Sequence, residues 1–286
     1  MTGSNAWQLA DWNGENGERW LVNQERLDRM LAPYGDAAIA AAGASPGEKV
    51  LDVGCGAGAT SLDLAAHVGA QGHVLGVDIS EALIGHARAR VPAGVPLEFA
   101  VADASRAPLP RAHFDLLFSR FGVMFFDDPG AAFAHLREAL KPGGRLCFIC
   151  WRGAAENDWV RLPMSALQAL LPVPPAPDPE APGPFSFGDR DRVTRILDTA
   201  GFADISFTPF DHPQIYGEGI DADAAVEDAL RLSMQIGPIA RVLPDQPADI
   251  QERALAALRG LFAARAEGNM VKIDGAAWIV SATVRA

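Results

Sequence analysis

Cysteine is scarce, with three among 286 residues. A disulfide framework needs a denser, even set, so a reducing compartment is expected. Cys147 and Cys150 spell C-x-x-C. They fall in an apolar strand-like run, where residues three apart face opposite sides. Buried small hydrophobes are therefore expected, not a redox or metal pair. No cysteine–histidine cluster in the sequence offers four metal ligands, so no metal is expected. Basic residues are also few, 24 Lys and Arg against 36 Asp and Glu, for a net charge of −12. Such a chain repels phosphate backbones, which argues against nucleic acid as a partner. No apolar run reaches membrane-span length. Met1–Asn5 lacks the basic and apolar regions of a signal peptide, so a cytoplasmic location is expected. Aromatic residues make up 8%, but total hydrophobic content is 49%, enough for a substantial core. The length allows one large domain, or one domain with a cap.

The most informative stretch is Val50-Leu51-Asp52-Val53-Gly54-Cys55-Gly56-Ala57-Gly58-Ala59-Thr60. An apolar strand meets glycines at alternate positions, and a helix follows at once. Glycine permits a tight turn and close backbone approach to a ligand. The helix start offers free N–H groups. A second strand, 73–77, delivers Asp78 at its C-terminal end, where an acid can accept both hydroxyls of a ribose. The expected ligand carries adenosine. Gly54-x-Gly56-x-x-Ala59 also fits the dinucleotide fingerprint, and Asp78 has the spacing for NAD. S-adenosylmethionine (SAM) is favoured by Asp52 before the first glycine, where buried dinucleotide strands are usually apolar. It is favoured also by the third glycine, Gly58, and by Asp103 at the end of a third strand, placed to accept the adenine amine.

The motifs VLDVGCGAGATSLDLA (50–65), VLGVDIS (74–80), VADASRAPLP (101–110), FDLLFSRFGVMFF (114–126) and LKPGGRLCFICW (140–151) stand in order. Through them the chain resembles the class I SAM-dependent methyltransferases, and more narrowly the type 11 group that includes ubiquinone and menaquinone methyltransferases. The resemblance covers about residues 46–151. It implies an α/β fold: a Rossmann-like, doubly wound, seven-stranded sheet with the last strand antiparallel, and a helical substrate cap. It implies SAM as cofactor and S-adenosylhomocysteine as product. Gly54, Gly56 and Gly58 would admit the methionine part, Asp78 with Ile79 the ribose, and Asp103 with Ala104 the adenine. Asp52, Thr60, Arg120 and Trp20 are further cofactor candidates.

Strands are expected near 48–53, 73–78, 96–101, 114–119 and 145–150, with helices near 59–68, 80–90 and 130–140. Strands alternating with helices imply a parallel sheet covered on both faces, with ligands at the carboxyl ends of the strands. Residues 1–45 form an N-terminal helical lid. Asn13-Gly14 and Asn16-Gly17 read as turns, a helix runs from Glu18 to Ala32, Pro33 closes it, and a short helix covers Asp36–Ala42. The SAM-binding core occupies 46–151 and is completed by 190–210 and 276–286. Residues 152–189 and 211–275 form the cap or substrate region. Prolines from Pro172 to Pro184 read as a stiff linker or a cover for substrate. Asp189 is an N-cap for a helix over 190–200, and a strand follows near 203–209. Helices near 222–236 and 247–266 precede a final strand at 277–284. The apolar helices of 211–275 serve a pocket or a homodimer.

Methyl transfer needs alignment and exclusion of water, and a base only where the acceptor loses a proton. His212, in a turn after the strand at 203–209 and beside Asp211, is the best candidate base. In the resembled family the segment after the fourth strand borders the methyl group. Phe121, Met124 and Phe125 would then form an apolar wall, pointing to an apolar or aromatic small-molecule substrate. The alternatives are a NAD-dependent oxidoreductase and a SAM-binding protein with a non-methylating role.

Overall fold

A computed structural model describes residues 6–171, 178 and 180–285. The chain divides into two compact units. One comprises Met1–Trp151, Pro179–Phe210 and Ala277–Ala286, the other Arg152–Asp178 and Asp211–Ala276. In chain order the helices are α1 (Ala6–Trp12), α2 (Glu15–Val22), α3 (Gln24–Ala42), α4 (Ala59–Val68), α5 (Glu81–Ala89), α6 (Pro129–Ala139), α7 (Asp158–Leu167), α8 (Arg190–Thr199), α9 (Ala222–Ser233), α10 (Pro238–Val242) and α11 (Ala248–Ala263). The strands are β1 (Lys49–Val53), β2 (His73–Asp78), β3 (Leu97–Val101), β4 (Phe114–Arg120), β5 (Leu140–Trp151), β6 (Phe202–Glu218), β7 (Ala266–Glu267) and β8 (Met270–Val284).

The sheet runs β3-β2-β1-β4-β5-β8-β6, with β7 paired to β8 alone. β1 to β5 are parallel, and β8 lies antiparallel to β5. Both faces of β5 are covered, which is what doubly wound means here. Cys147 donates its thiol to Ala38 O of α3, while Cys150 Sγ lies against Phe187 O on the opposite face. Phe148 shares the Cys150 face and packs near Phe133 of α6 and Phe187. The three cysteines are free and buried, and burial raises their thiol pKa values, Cys147 to about 12. They are inert core residues.

The described sheet has eight strands where seven are expected from the sequence. The eighth is β7, a two-residue strand joined to β8 by Gly268-Asn269, with Glu267 opposite Met270. Gly268 sits at φ +61°, the left-handed conformation that a two-residue hairpin turn needs. β6 and β8 also extend well beyond the expected 203–209 and 277–284. His212 consequently lies inside β6, not in a turn after it.

The N-terminal helices depart most from expectation. Pro33 sits inside α3 instead of closing a helix. An interior proline costs about 3 kcal/mol. Leu27, Leu31, Tyr34, Ala38 and Ile39 form one buried stripe along α3, and burying it outweighs that cost. Asn16-Gly17 is likewise helical, within α2. A Cβ on Gly17 would lie 2.1 Å from Trp12 O, so this glycine permits close packing of α1 and α2. α4, α5, α6 and α8 fall where expected, and Asp189 accepts from the N–H groups of Asp191 and Arg192 as an N-cap. The prolines at 172, 174, 175, 177 and 179 lie outside the described residues.

The second unit is mainly α7, α9, α10 and α11, with a core that includes Leu167, Leu230, Leu258 and Phe262. α7, with Pro163 inside it, falls in the stretch expected as a linker or cover. Asn157, fully buried, holds the unit's edge. Its Nδ2 donates to Arg152 O, Gly153 O and Ala276 O, and its Oδ1 accepts from Ala276 N and Trp159 Nε1. No described helix is long and apolar enough to cross a membrane.

Candidate active site

The carboxyl ends of β1, β2 and β4 gather Asp52, the three glycines, Thr60, Asp78, Ile79 and Arg120. After β1 the backbone turns through Gly54, Gly56 and Gly58 at φ +66°, +55° and +82°. The three have different reasons to be glycine. A Cβ on Gly54 would lie 2.7 Å from Gly122 Cα, and one on Gly58 would lie 2.6 Å from the Phe99 ring. Gly56 meets nothing within 4 Å, so its missing side chain leaves open space at the turn.

Asp78, the last residue of β2, is bonded to the turn. Gly56 N–H donates to its Oδ2 at 2.8 Å and Ser80 N–H to its Oδ1 at 2.9 Å. Burial raises its pKa despite these backbone donors. A desolvated carboxylate with backbone partners and spare lone pairs suits the two hydroxyls of a ribose.

Asp52 is fully buried one strand away. Thr60 and Ser61, in the first turn of α4, donate to its Oδ2 at 2.9 and 2.6 Å, while Oδ1 has no partner. Burial pushes its pKa up to about 6, against the pull of these hydroxyls and of Arg120. Arg120, at the end of β4, lies 3.6 Å from Asp28 of α3. Arg90 reaches the same carboxylate at 3.1 Å and also donates to Ala57 O at 2.8 Å, bracing the glycine turn. Gly35 lets α3 pass close to Thr60 and Arg120.

Asp103 is engaged locally. Its Oδ1 accepts from Ser105 N and Oγ, and its Oδ2 from Arg106 Nε at 2.7 Å. Ala104 beside it is buried.

After β4, Phe121 adopts φ +62° and stacks on Trp151 at 4.1 Å, with Tyr34 edge-on to both. Met124 is only 1% exposed, and its carbonyl accepts from Gly183 N and Ser186 Oγ. Its side chain is core, so it offers no wall to a ligand in this conformation. Phe125 is half-buried and packs edge-on against Trp12, which in turn meets Trp20, both at 5.7 Å.

Asn13, expected only as a turn residue, pins the N-terminal segment here. It donates to Ile79 O and accepts from Glu81 N. His212 belongs to the second unit. Among the described residues, no group of three His, Cys, Asp or Glu side chains could hold a metal ion.

A dinucleotide fold of the usual order places its strands 3-2-1-4-5-6, all parallel. Here an antiparallel strand stands between the fifth and the edge. The family profile described as a methyltransferase domain matches residues 50–144. The chain carries a class I SAM-dependent methyltransferase domain of the type 11 kind. That domain is 38% identical over 112 residues to the ubiquinone/menaquinone biosynthesis C-methyltransferase UbiE of Cupriavidus necator, covering 39% of this chain and 46% of that protein. The uncharacterized protein Rv1405c of Mycobacterium tuberculosis is 33% identical over 181 residues, covering 62% of this chain and 63% of that protein. The chain thus spans less than two thirds of the length of these curated relatives. In fold, the methyltransferase domain and its surroundings resemble the YcgJ protein of Bacillus subtilis, with a TM-score of 0.56 at 16% identity over 89% of this chain and 99% of that one.

Proposed function

We propose that this protein transfers the methyl group of SAM to a small, apolar or aromatic molecule. The carrying observation is the glycine turn, with open space at Gly56 and the desolvated Asp78 hydrogen-bonded across it. SAM supplies an electrophilic methyl on a sulfonium. The acceptor's electron pair forms the new bond to that carbon as the carbon–sulfur bond breaks and its pair returns to sulfur. The chain's own share is to hold and align. Asp78 orients the ribose, Ile79 flanks it, and Asp103 with Ala104 takes the adenine. The turn at Gly54–Gly58 admits the methionine part, with Asp52, Thr60 and Arg120 fixing its geometry. Trp12, Trp20 and Phe125 form an aromatic group that excludes water beside the turn.

Phe121, stacked on Trp151, and Phe125, edge-on to Trp12, favour an apolar acceptor. The net charge of −12 disfavours a nucleic acid. No catalytic role is assigned to His212. The test is production of S-adenosylhomocysteine with a panel of phenols, quinols, amines and carboxylic acids. Turnover with a phenol or quinol is expected. Turnover only with RNA or protein acceptors would sink the small-molecule reading.

A further inference from the structure

Gln8 on α1 is buried, at 2% exposure, and neither Nε2 nor Oε1 has a hydrogen-bond partner. Among the described residues the only other buried side-chain atom in that state is Asp52 Oδ1. A buried amide so placed forfeits the hydration of both its groups. Such a group calls for a partner that the protein itself does not provide.

Its position says where that partner sits. Gln8 is one helical turn before Trp12, so the two share a face of α1. Trp12 packs against Phe125, beyond the end of β4, and the next residue, Asn13, is hydrogen-bonded to Ile79 and Glu81, beyond the end of β2. β1 lies between β2 and β4. The end of α1 therefore straddles the strand that carries the glycine turn.

We propose that Gln8 is a cofactor-binding residue that reads the amino-acid end of SAM, an inference that rests on the SAM reading above. The groups expected at the ribose and adenine, Asp78 and Asp103, are carboxylates that only accept. The amino-acid end needs an acceptor for its ammonium and a donor for its carboxylate, side by side. A side-chain amide supplies that pair, Oε1 for the ammonium and Nε2–H for the carboxylate.

The test is calorimetry on the full chain with two ligands, S-adenosylhomocysteine and 5′-methylthioadenosine, which shares the nucleoside but lacks the amino-acid end. Gln8→Met, nearly isosteric, should weaken S-adenosylhomocysteine about tenfold or more, the scale of a hydrogen bond to a charged group. The same variant should bind 5′-methylthioadenosine as the native chain does. Its ligand-free melting temperature should hold or rise, because an unpaired buried amide has been removed. Gln8→Glu, which sets a carboxylate against a carboxylate, should show the same ligand selectivity if Gln8→Met folds poorly. Unchanged S-adenosylhomocysteine affinity overturns the assignment. So does an equal loss for both ligands with a lower melting temperature, which would make Gln8 a packing residue. A native chain that binds neither ligand overturns the SAM reading itself, and this inference with it.

Discussion

Asp52 allows a worked prediction about pH. Its carboxyl is fully buried, and burial lifts its pKa from 3.8 to about 6. In the unfolded chain it ionises at its ordinary value. Between those pH values the native state holds more protons than the unfolded state, so this group's contribution to stability falls as pH rises. The contribution is fully present below about pH 4 and lost above about pH 6. Two pKa units correspond to about 3 kcal/mol, an upper limit. Asp52→Asn removes the titration. It also has a pH-independent cost, because the new NH2 occupies the site of the partnerless Oδ1 and costs about 1–3 kcal/mol. The informative quantity is therefore the change in the variant-minus-native difference with pH. Urea denaturation of both proteins from pH 4 to 8 should show that difference moving by up to about 3 kcal/mol in favour of Asn, with the movement finished soon after pH 6. The other carboxylates are common to both proteins and cancel. A difference that stays flat, or moves toward the native protein, refutes the reasoning.

Other outcomes follow from the same geometry. Asp78→Ala should weaken S-adenosylhomocysteine binding by about 1–3 kcal/mol, read by calorimetry, because charge-assisted hydrogen bonds to the ribose are lost. Gly56→Ala and Gly58→Ala should separate binding from stability. Both substitutions carry the left-handed backbone cost of about 1–2 kcal/mol; the first adds only a methyl in open space and weakens ligand binding, while the second also drives Cβ into Phe99 and lowers the melting temperature further. Asn157→Leu should destabilise the protein by about 1–3 kcal/mol in denaturant titrations, since it leaves the buried N–H of Ala276 without its acceptor, while Ala276 O keeps the N–H of Arg152. Asn13→Ala should speed proteolytic cleavage within residues 6–22, because both bonds from Asn13 to the β2–α5 junction disappear. An unchanged cleavage rate would show that the aromatic contacts alone hold the segment.

The parts of this fold that were legible in the sequence are those with local causes. The strand–glycine–helix run placed β1 and α4, and a capping aspartate placed α8. Asp78 and Asp103 were found because acids at strand ends carry a spacing signal. Pro33 misled because a proline's cost is local, while the buried stripe of α3 is tertiary. Gly268-Asn269 was a readable hairpin signal, masked by the helical pattern running up to it. Asn13 looked like any turn residue because its partners lie more than sixty residues away. Gln8 had no signal at all, since an unmet hydrogen bond exists only once the chain has folded around it. Met124 read as a pocket wall from its place after β4, but the loop turns it into the core.

The central claim is that the glycine turn and Asp78 hold SAM. The most direct measurement is thermal unfolding of the full chain with SAM, S-adenosylhomocysteine, NAD or NADP, since a ligand of the native state raises apparent stability. A rise with the two sulfur compounds alone, lost in Asp78→Ala, is the predicted result. A rise with a nicotinamide nucleotide and none with SAM would contradict the account.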